Sequence, residues 1–354
     1  MSSRWALAYK ARLTMSSSLS PVRGASFGVA AVIAARRFAV RTCKILFMLV
    51  SIAVVNFLLI HCAPGDPASV MAGQSGAADP QFVAQLRHSF GLDKPLWVQL
   101  WLYLKHVAML DLGTSYTQQQ PVLTLILQRL PATLLLTTAA FIFALLAGIL
   151  LGALSARWRG GWADRLITLL ALGFYATPIF WVGLMLVLIF SVWLGWLPSF
   201  GMESVGMGYT GLAHVLDVVH YLILPALTLG LFYMAVYARL TRASMLDVSQ
   251  QDFIRTARAK GLREGTIWRR HILRNALLPV VTFAGIQAGQ LIGGSVLVET
   301  VFAWPGVGQL AFNALLARDY PVLLGVFLCT AAMVIVFNLL TDLLYLIVDP
   351  RMSA

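Results

Sequence analysis

The decisive stretch is Ala238–Asn275, ARLTRASMLDVSQQDFIRTARAKGLREGTIWRRHILRN, a basic segment set between two long apolar runs, Tyr221–Tyr237 and Ala276–Val298. A bilayer-spanning helix needs about 20 predominantly apolar residues, so each flanking run reads as a span. The segment between them carries nine of the chain's 26 Lys and Arg, which marks it as a cytoplasmic loop. Within it, Asp247 or Ser249 is placed to cap a helix running to Lys260, and Gly261 is a natural stop. Phe253, Ile254, Ala257 and Leu262 are expected on one side of that helix, and Arg255, Arg258 and Lys260 elsewhere. A short amphipathic helix of this kind lies on a lipid surface or enters a groove on a partner. The small Ala257, Ala259 and Gly261 favour close approach to another protein.

Four further apolar runs lie outside this stretch: Ile45–Ala63, Leu134–Leu154, Leu166–Leu194 and Val322–Val348. The expected fold class is therefore an all-α membrane protein of six spans. Leu166–Leu194 is longer than a bilayer needs and holds Pro178, so it is predicted as one long tilted or kinked helix. Composition agrees. Of 354 residues, 59% are apolar and 11% charged, against about 25% charged in an ordinary soluble domain, which excludes soluble globular and disordered classes.

The net charge of +12 is explained by where the charges sit. With the N-terminus inside, 8 Lys and Arg fall in 1–44, 3 in 155–165, 9 in 238–275 and one at Arg351, against 5 in the opposite loops. Both termini are thus expected in the cytoplasm. The basic excess reads as topology plus contact with anionic membrane lipid, not as nucleic-acid binding, for no recognition motif accompanies it. Residues 1–35 fit the rest poorly. Their apolar run Gly24–Ala35 is too short to span, and they are expected to be a disordered extension, or to precede a later start such as Met15. Cys43, Cys62 and Cys329 have no metal-ligand spacing, and no metal site is expected.

The outward loop, 64–131, is too long to be idle. Asp79 and Pro80 can start a helix ending before Gly91, and Lys94-Pro95 a second one with Leu96, Val98, Leu100, Trp101 and Leu104. Such a loop domain caps the bundle or docks an external partner. Charges at membrane depth are functional candidates by default, which singles out Glu299 and Asp342. Glu299 can alternatively pin the loop at Trp304-Pro305-Gly306, and Asp342 can snorkel toward the cytoplasmic end.

Six motifs occur in order. They are Pro64-Gly65-Asp66-Pro67, Phe90-Gly91-Leu92-Asp93-Lys94-Pro95, Asp111-Leu112-Gly113-Thr114-Ser115, Arg255-Thr256-Ala257-Arg258-Ala259-Lys260-Gly261, Asn275-Ala276-Leu277-Leu278-Pro279 and Glu299-Thr300-Val301-Phe302-Ala303-Trp304-Pro305-Gly306-Val307-Gly308. Together they resemble the permease subunits of binding-protein-dependent ABC importers for dipeptides, oligopeptides and nickel, from about Arg36 to Met352. Two departures stand out. Leu110 occupies the place before Asp111 where glycine is usual, and Arg255, Thr256 and Ala257 stand where the wider class has Glu-Ala-Ala.

The resemblance implies a type I ABC importer permease fold in a bacterial inner membrane, with a core over 132–350 and a first transmembrane helix over 36–63. It implies a second, paralogous permease subunit, two ATPase subunits and an external solute-binding protein as partners. It also implies a coupling helix contacting an ATPase through Asp252, Phe253, Arg255, Thr256, Ala257, Arg258, Ala259, Lys260 and Gly261. Glu299, Trp304, Pro305, Gly306 and Asp342 are the candidates for the pathway or outer gate. No G-x-x-x-x-G-K-[ST] loop is present, so the chain is expected to be no enzyme and to need no cofactor, ATP being bound by partner subunits. The solute is expected to be a di- or oligopeptide, or a related small solute such as nickel or glutathione. The alternative is a secondary transporter driven by an ion gradient, working through Glu299 and Asp342.

Overall fold

The computed structural model describes residues 25–62, 80–89 and 93–348, and these are helices joined by turns, with one isolated bridge between Thr114 and Pro121. In chain order the helices are α1 (Ala25–Cys62), α2 (Pro80–Ser89), α3 (Leu96–Ala108), α4 (Val122–Arg157), α5 (Trp162–Ala176) and α6 (Ile179–Leu186), the last extended by a π-helical stretch, Val187–Trp193. Next come α7 (Leu212–Ser249), α8 (Asp252–Ala259), a turn at Glu264–Thr266 with a π-helical stretch Ile267–Leu273, α9 (Arg274–Val301), α10 (Val307–Leu316) and α11 (Tyr320–Val348). The chain divides into two units at Ser51 and Ile52. In the first, α1 exposes Leu46, Phe47 and Met48. The second holds the end of α1 and the helices from α2 to α11.

Among the described residues, five helices are long and apolar enough to cross a membrane, with windows in Thr42–Leu59, Val122–Arg157, Leu212–Ser249, Glu264–Leu291 and Tyr320–Leu339; a sixth span is made if α5 and the extended α6 count as one. That pair corrects the expectation of one kinked helix, because the chain bends by 109° between them. The cause is Pro178. It lacks an N–H, and its ring disfavours helical angles at the preceding residue. Thr177 accordingly sits extended, at φ −86° and ψ 137°, and its hydroxyl closes α5 by donating to the Gly173 carbonyl at 2.7 Å.

Two boundaries also differ from expectation. The helix α1 begins at Ala25, inside the stretch expected to be disordered, and α4 begins at Val122 and carries Pro131 within it, so the long loop ends well before residue 131. The two helices expected in that loop are present as α2 and α3. His61 near the end of α1 lies 3.1 Å from Gln99 Oε1 on α3 and 2.8 Å from its own helix's Phe57 carbonyl. The motif Pro64–Pro67 and residues 90–92 lie outside the described residues.

The centre of the bundle is the pairing of α4 with α7. Glycines make it close. A Cβ on Gly148 would fall 2.5 Å from Tyr237 Cβ, and one on Gly152 2.5 Å from the Ala238 carbonyl oxygen. Small residues at such crossings let two backbones approach where no hydrophobic drive separates protein from lipid. Leu136, Leu224, Leu229, Tyr237, Val280 and Leu291 fill the core around this seam. Leu135, Ile142, Leu146 and Leu150 face away from it along one side of α4, an apolar stripe suited to lipid or another subunit. A second apolar cluster closes the end bearing α10, through Ile126, Val307, Leu310 and Val322. A third closes the end bearing α8, through Ala156, Met245, Ile254, Ile267 and Ile272.

Candidate functional site

The conspicuous loop element is α8. The buried Met245 and Val248 keep α7 helical as far as Ser249, so α8 starts only at Asp252. Asp247 and Ser249 therefore do not cap it. The Ser249 hydroxyl donates back to the Leu246 carbonyl at 2.7 Å, and the capping position is held by Gln251, extended and without a side-chain bond. At its other end α8 closes as expected. Gly261 has φ +75°, its N–H donates to the Arg258 carbonyl at 2.9 Å, and Leu262 N–H donates to the Ala257 carbonyl at 3.3 Å. That pair of bonds is the Schellman closure.

The expected apolar side of α8 is split. Ile254 and Ala257, three residues apart, are buried in the third cluster, whereas Phe253 and Leu262 are each 41% exposed. Ala257 is small because its own chain packs against it. The face turned away from the bundle holds Phe253, Arg255, Thr256, Ala259 and Lys260. Arg255 lies 3.4 Å from Asp252, and Arg258 Nε donates to Glu264 at 2.8 Å. These contacts fix the helix rather than cover it.

Behind α8 lies a buried ion pair that the sequence did not announce. Arg242 of α7 binds both oxygens of Asp164 in the first turn of α5, at 2.8 and 2.9 Å. The Ser155 hydroxyl of α4 and the Gly160 N–H of the α4–α5 turn donate to the same carboxylate. Three helix ends are thereby tied to one side chain beneath α8. The available signal was an acidic residue in the basic 155–165 loop, just after Gly160-Gly161.

The opposite end holds Glu299, fully buried, with a set of donors around it. It accepts from the Thr133 hydroxyl at 2.9 Å, the Ser295 hydroxyl at 3.0 Å and the Gln309 N–H at 3.0 Å. Thr133 Oγ1 in turn accepts the Val307 N–H at 2.8 Å, and the indole of Trp304, also buried, donates to the Ala132 carbonyl at 2.8 Å. The motif Glu299–Gly308 is thus one knot of α4, α9 and α10. Gly306 is required by proximity, since a Cβ there would lie 2.3 Å from Glu299 Oε2. Pro305 stands between Trp304 and Gly306 in this turn. Between the two ends, the Thr341 hydroxyl of α11 donates to the Gly285 carbonyl of α9 at 2.8 Å. Asp342 follows it in α11, and its side chain lies outside the described residues.

A second carboxylate at the Glu299 end explains the motif Asp111–Ser115. Asp319, just before α11, accepts from the Ser115 hydroxyl at 2.6 Å and from the Thr117 N–H and hydroxyl at 3.1 and 2.8 Å. Sequence reasoning missed Asp319, whose partners are some 200 residues away. The preceding Leu110 has φ +58°, a conformation that favours glycine, which accounts for the usual residue at that position. The coupling candidates and the gate candidates Glu299, Trp304, Pro305 and Gly306 therefore sit at opposite ends of the bundle, with Asp342 not among the latter group, and α9 joins the two ends, its 28 residues reaching roughly 42 Å at about 1.5 Å per residue.

Known proteins resemble the chain over most of its length. Residues 148–354 match the family model for the binding-protein-dependent transport system inner membrane component, and residues 35–137 match that of the N-terminal part of such membrane components. The dipeptide transport system permease protein DppB of Alkalihalophilus pseudofirmus is 42% identical over 321 residues, covering 86% of this chain and 96% of that one. The glutathione transport system permease protein GsiC of Pectobacterium atrosepticum is 44% identical over 302 residues, covering 85% and 94%. The di/tripeptide transport system permease protein DppB of Pseudomonas aeruginosa is 42% identical over 314 residues, covering 85% and 93%. The inward-facing MetNI methionine ABC transporter shares the fold, with a TM-score of 0.52 at 20% identity over 64% of this chain and 97% of that one. A gradient-driven secondary transporter finds no support among these relatives. The chain belongs to the inner membrane components of binding-protein-dependent transport systems, and is a multi-pass permease of an ABC importer.

Proposed function

We propose that this permease carries short peptides or glutathione inward, the solutes named for its relatives, and that α8 is the element through which ATP drives it. The observation that carries this reading is the construction of α8. Ile254 and Ala257 anchor it to the membrane helices, while Phe253, Arg255, Thr256 and Lys260 face away as a compact, chemically mixed knob. In the proposed assembly a second, paralogous permease completes the pathway, and two separate ATPase subunits hydrolyse ATP. The knob seats in a groove of one ATPase. The α8 end and both termini face the cytoplasm, as the Lys and Arg distribution supports. The loop domain within 64–131 and the Glu299 end face outward, toward the solute-binding protein. When the ATPases close, α8 moves with them and carries the α4, α7 and α9 ends through their shared cluster. The bundle then exchanges its inward-open for its outward-open state.

Gly261 gives the test. A Cβ there would meet no atom within 4 Å, but a leucine would have to adopt φ +75°, at a cost of about 1–2 kcal/mol. Relaxing that strain re-aims the chain leaving α8. Gly261→Leu is expected to lower uptake of a labelled dipeptide or glutathione about tenfold while the protein still inserts. Gly261→Asn, which tolerates the left-handed conformation, is expected to keep most of it. Equal uptake by wild type and the leucine variant would refute a coupling role for this turn.

A further inference from the structure

We infer that the α8 end carries a binding site for the phosphate of an anionic phospholipid, in a cavity of about 600 Å³ between the α4–α5 turn, the end of α7 and α8. Its polar lining includes Arg157, Arg159, Gln250 and Arg258, its aromatic lining Trp158 and Trp268, and no acidic residue lines it. Two of the nearby carboxylates are already engaged. Glu264 binds Arg258, and Asp164 is saturated by Arg242, Ser155 and Gly160. Arg157 and Arg159 are exposed and make no ion pair with any described residue. Two guanidinium-bearing side chains lining one cavity suit an oxyanion able to accept several charge-assisted bonds.

The surroundings select a lipid as the source. Arg157 lies one turn beyond the apolar run Leu134–Leu154, at the level where a spanning helix leaves the hydrocarbon. Trp158 and Trp162 on the same turn are 51% and 77% exposed, the placement that amphipathic indoles take among headgroups. From Trp162, α5 exposes Leu166, Leu169 and Leu170 at helical spacing, an apolar wall for an acyl chain that starts at the same turn. An ATPase carboxylate would meet the two arginines but leaves that wall unused. The site rests on the proposed orientation, which sets the α8 end in the inner leaflet, and anionic lipids are attracted there to juxtamembrane Lys and Arg. A phosphate held there touches Arg258 of α8 and the α4–α5 turn together, so lipid occupancy stiffens the mounting of α8.

The test is native mass spectrometry of the whole complex, purified in mild detergent and exchanged into nanodiscs of phosphatidylcholine with or without phosphatidylglycerol. Wild type is expected to retain phosphatidylglycerol in preference to phosphatidylcholine. The double variant Arg157→Gln/Arg159→Gln is expected to bind it on the order of tenfold more weakly, two surface cations each contributing a few-fold. Arg263→Gln/Arg269→Gln, at the same end but outside the cavity, is expected to leave retention unchanged and controls for net charge. Equal retention by wild type and the Arg157/Arg159 variant overturns the site. Loss of ATPase subunits with lipid retention unchanged also overturns it, and assigns the arginines to the partner. Inorganic phosphate displacing the lipid and stabilising the protein equally well overturns the lipid source. A complex that lacks ATPase subunits while wild type still retains the lipid counts against the coupling reading alone.

Discussion

Gly306→Ala is expected to destabilise the folded protein by about 2–5 kcal/mol, the sum of overpacking a tight site and unseating buried hydrogen bonds. The backbone at Gly306, with φ −100° and ψ −179°, is extended and open to any residue, so the cost is steric and not conformational. The added Cβ would fall 2.3 Å from Glu299 Oε2 and 2.6 Å from Thr133 Oγ1. Neither can yield cheaply. The carboxylate is fully buried and holds Thr133, Ser295 and Gln309 together, and moving it leaves donors from α4, α9 and α10 unpaired. The measurement is the thermal midpoint of the detergent-solubilised protein, read by size exclusion. Glu299→Ala is expected to be costly alone, yet to remove much of the further cost of Gly306→Ala, because the two nearest clashing atoms, both of Glu299, are gone and Thr133, released from the carboxylate, can turn aside. Strictly additive losses would show that Glu299 does not constrain this turn.

Arg242→Ala is the second large loss expected, about 2–4 kcal/mol. The pair is bidentate, with the Asp164 side chain 6% and the Arg242 side chain 33% exposed. Removing one partner from such a pair leaves an uncompensated buried charge, which is far more costly than the pair's own net contribution. The part-exposed guanidinium keeps the figure below that for a fully buried pair. The double replacement Asp164→Leu/Arg242→Leu is accordingly expected to recover most of the thermal midpoint, since two apolar side chains leave no orphaned charge. Uptake by that double variant then separates two roles. Recovered stability with lost uptake means that the ion pair positions the α8 end, and recovery of both means that it only holds the helices together.

Much of the architecture was legible because a bilayer imposes its own length and polarity on a helix. The apolar runs, the helices at Pro80 and Leu96 and the stop at Gly261 follow from hydropathy, proline and glycine alone. The misreadings have physical causes, one local and the others tertiary. Pro178 breaks its span outright, since Thr177 is driven extended, and apolar composition does not reveal how sharply the chain then turns. The cap of α8 was misplaced because Met245 and Val248 continue the buried face of α7, a tertiary effect invisible to local capping rules. The motif residues of the Glu299 end were visible, but their geometry was not, because Thr133 and Gly306 meet only through the fold. Arg242 was read only as one of the basic residues that assign a loop to the cytoplasm, and Asp164 and Asp319 were not singled out. Their roles depend on partners from 78 to 204 residues distant.

The central claim is that this permease couples through α8 to separate ATPase subunits, and co-purification tests it most directly. The tagged chain is drawn from its native membrane in mild detergent, its companions are identified and ATP hydrolysis is assayed. The account predicts that a second permease and ATPase subunits accompany the wild-type chain, that the complex hydrolyses ATP, and that the paired change Phe253→Ala/Thr256→Asp on the exposed face of α8 releases the ATPases while leaving the second permease bound. A chain that emerges alone and inert toward ATP, under conditions that keep other membrane complexes intact, would contradict it.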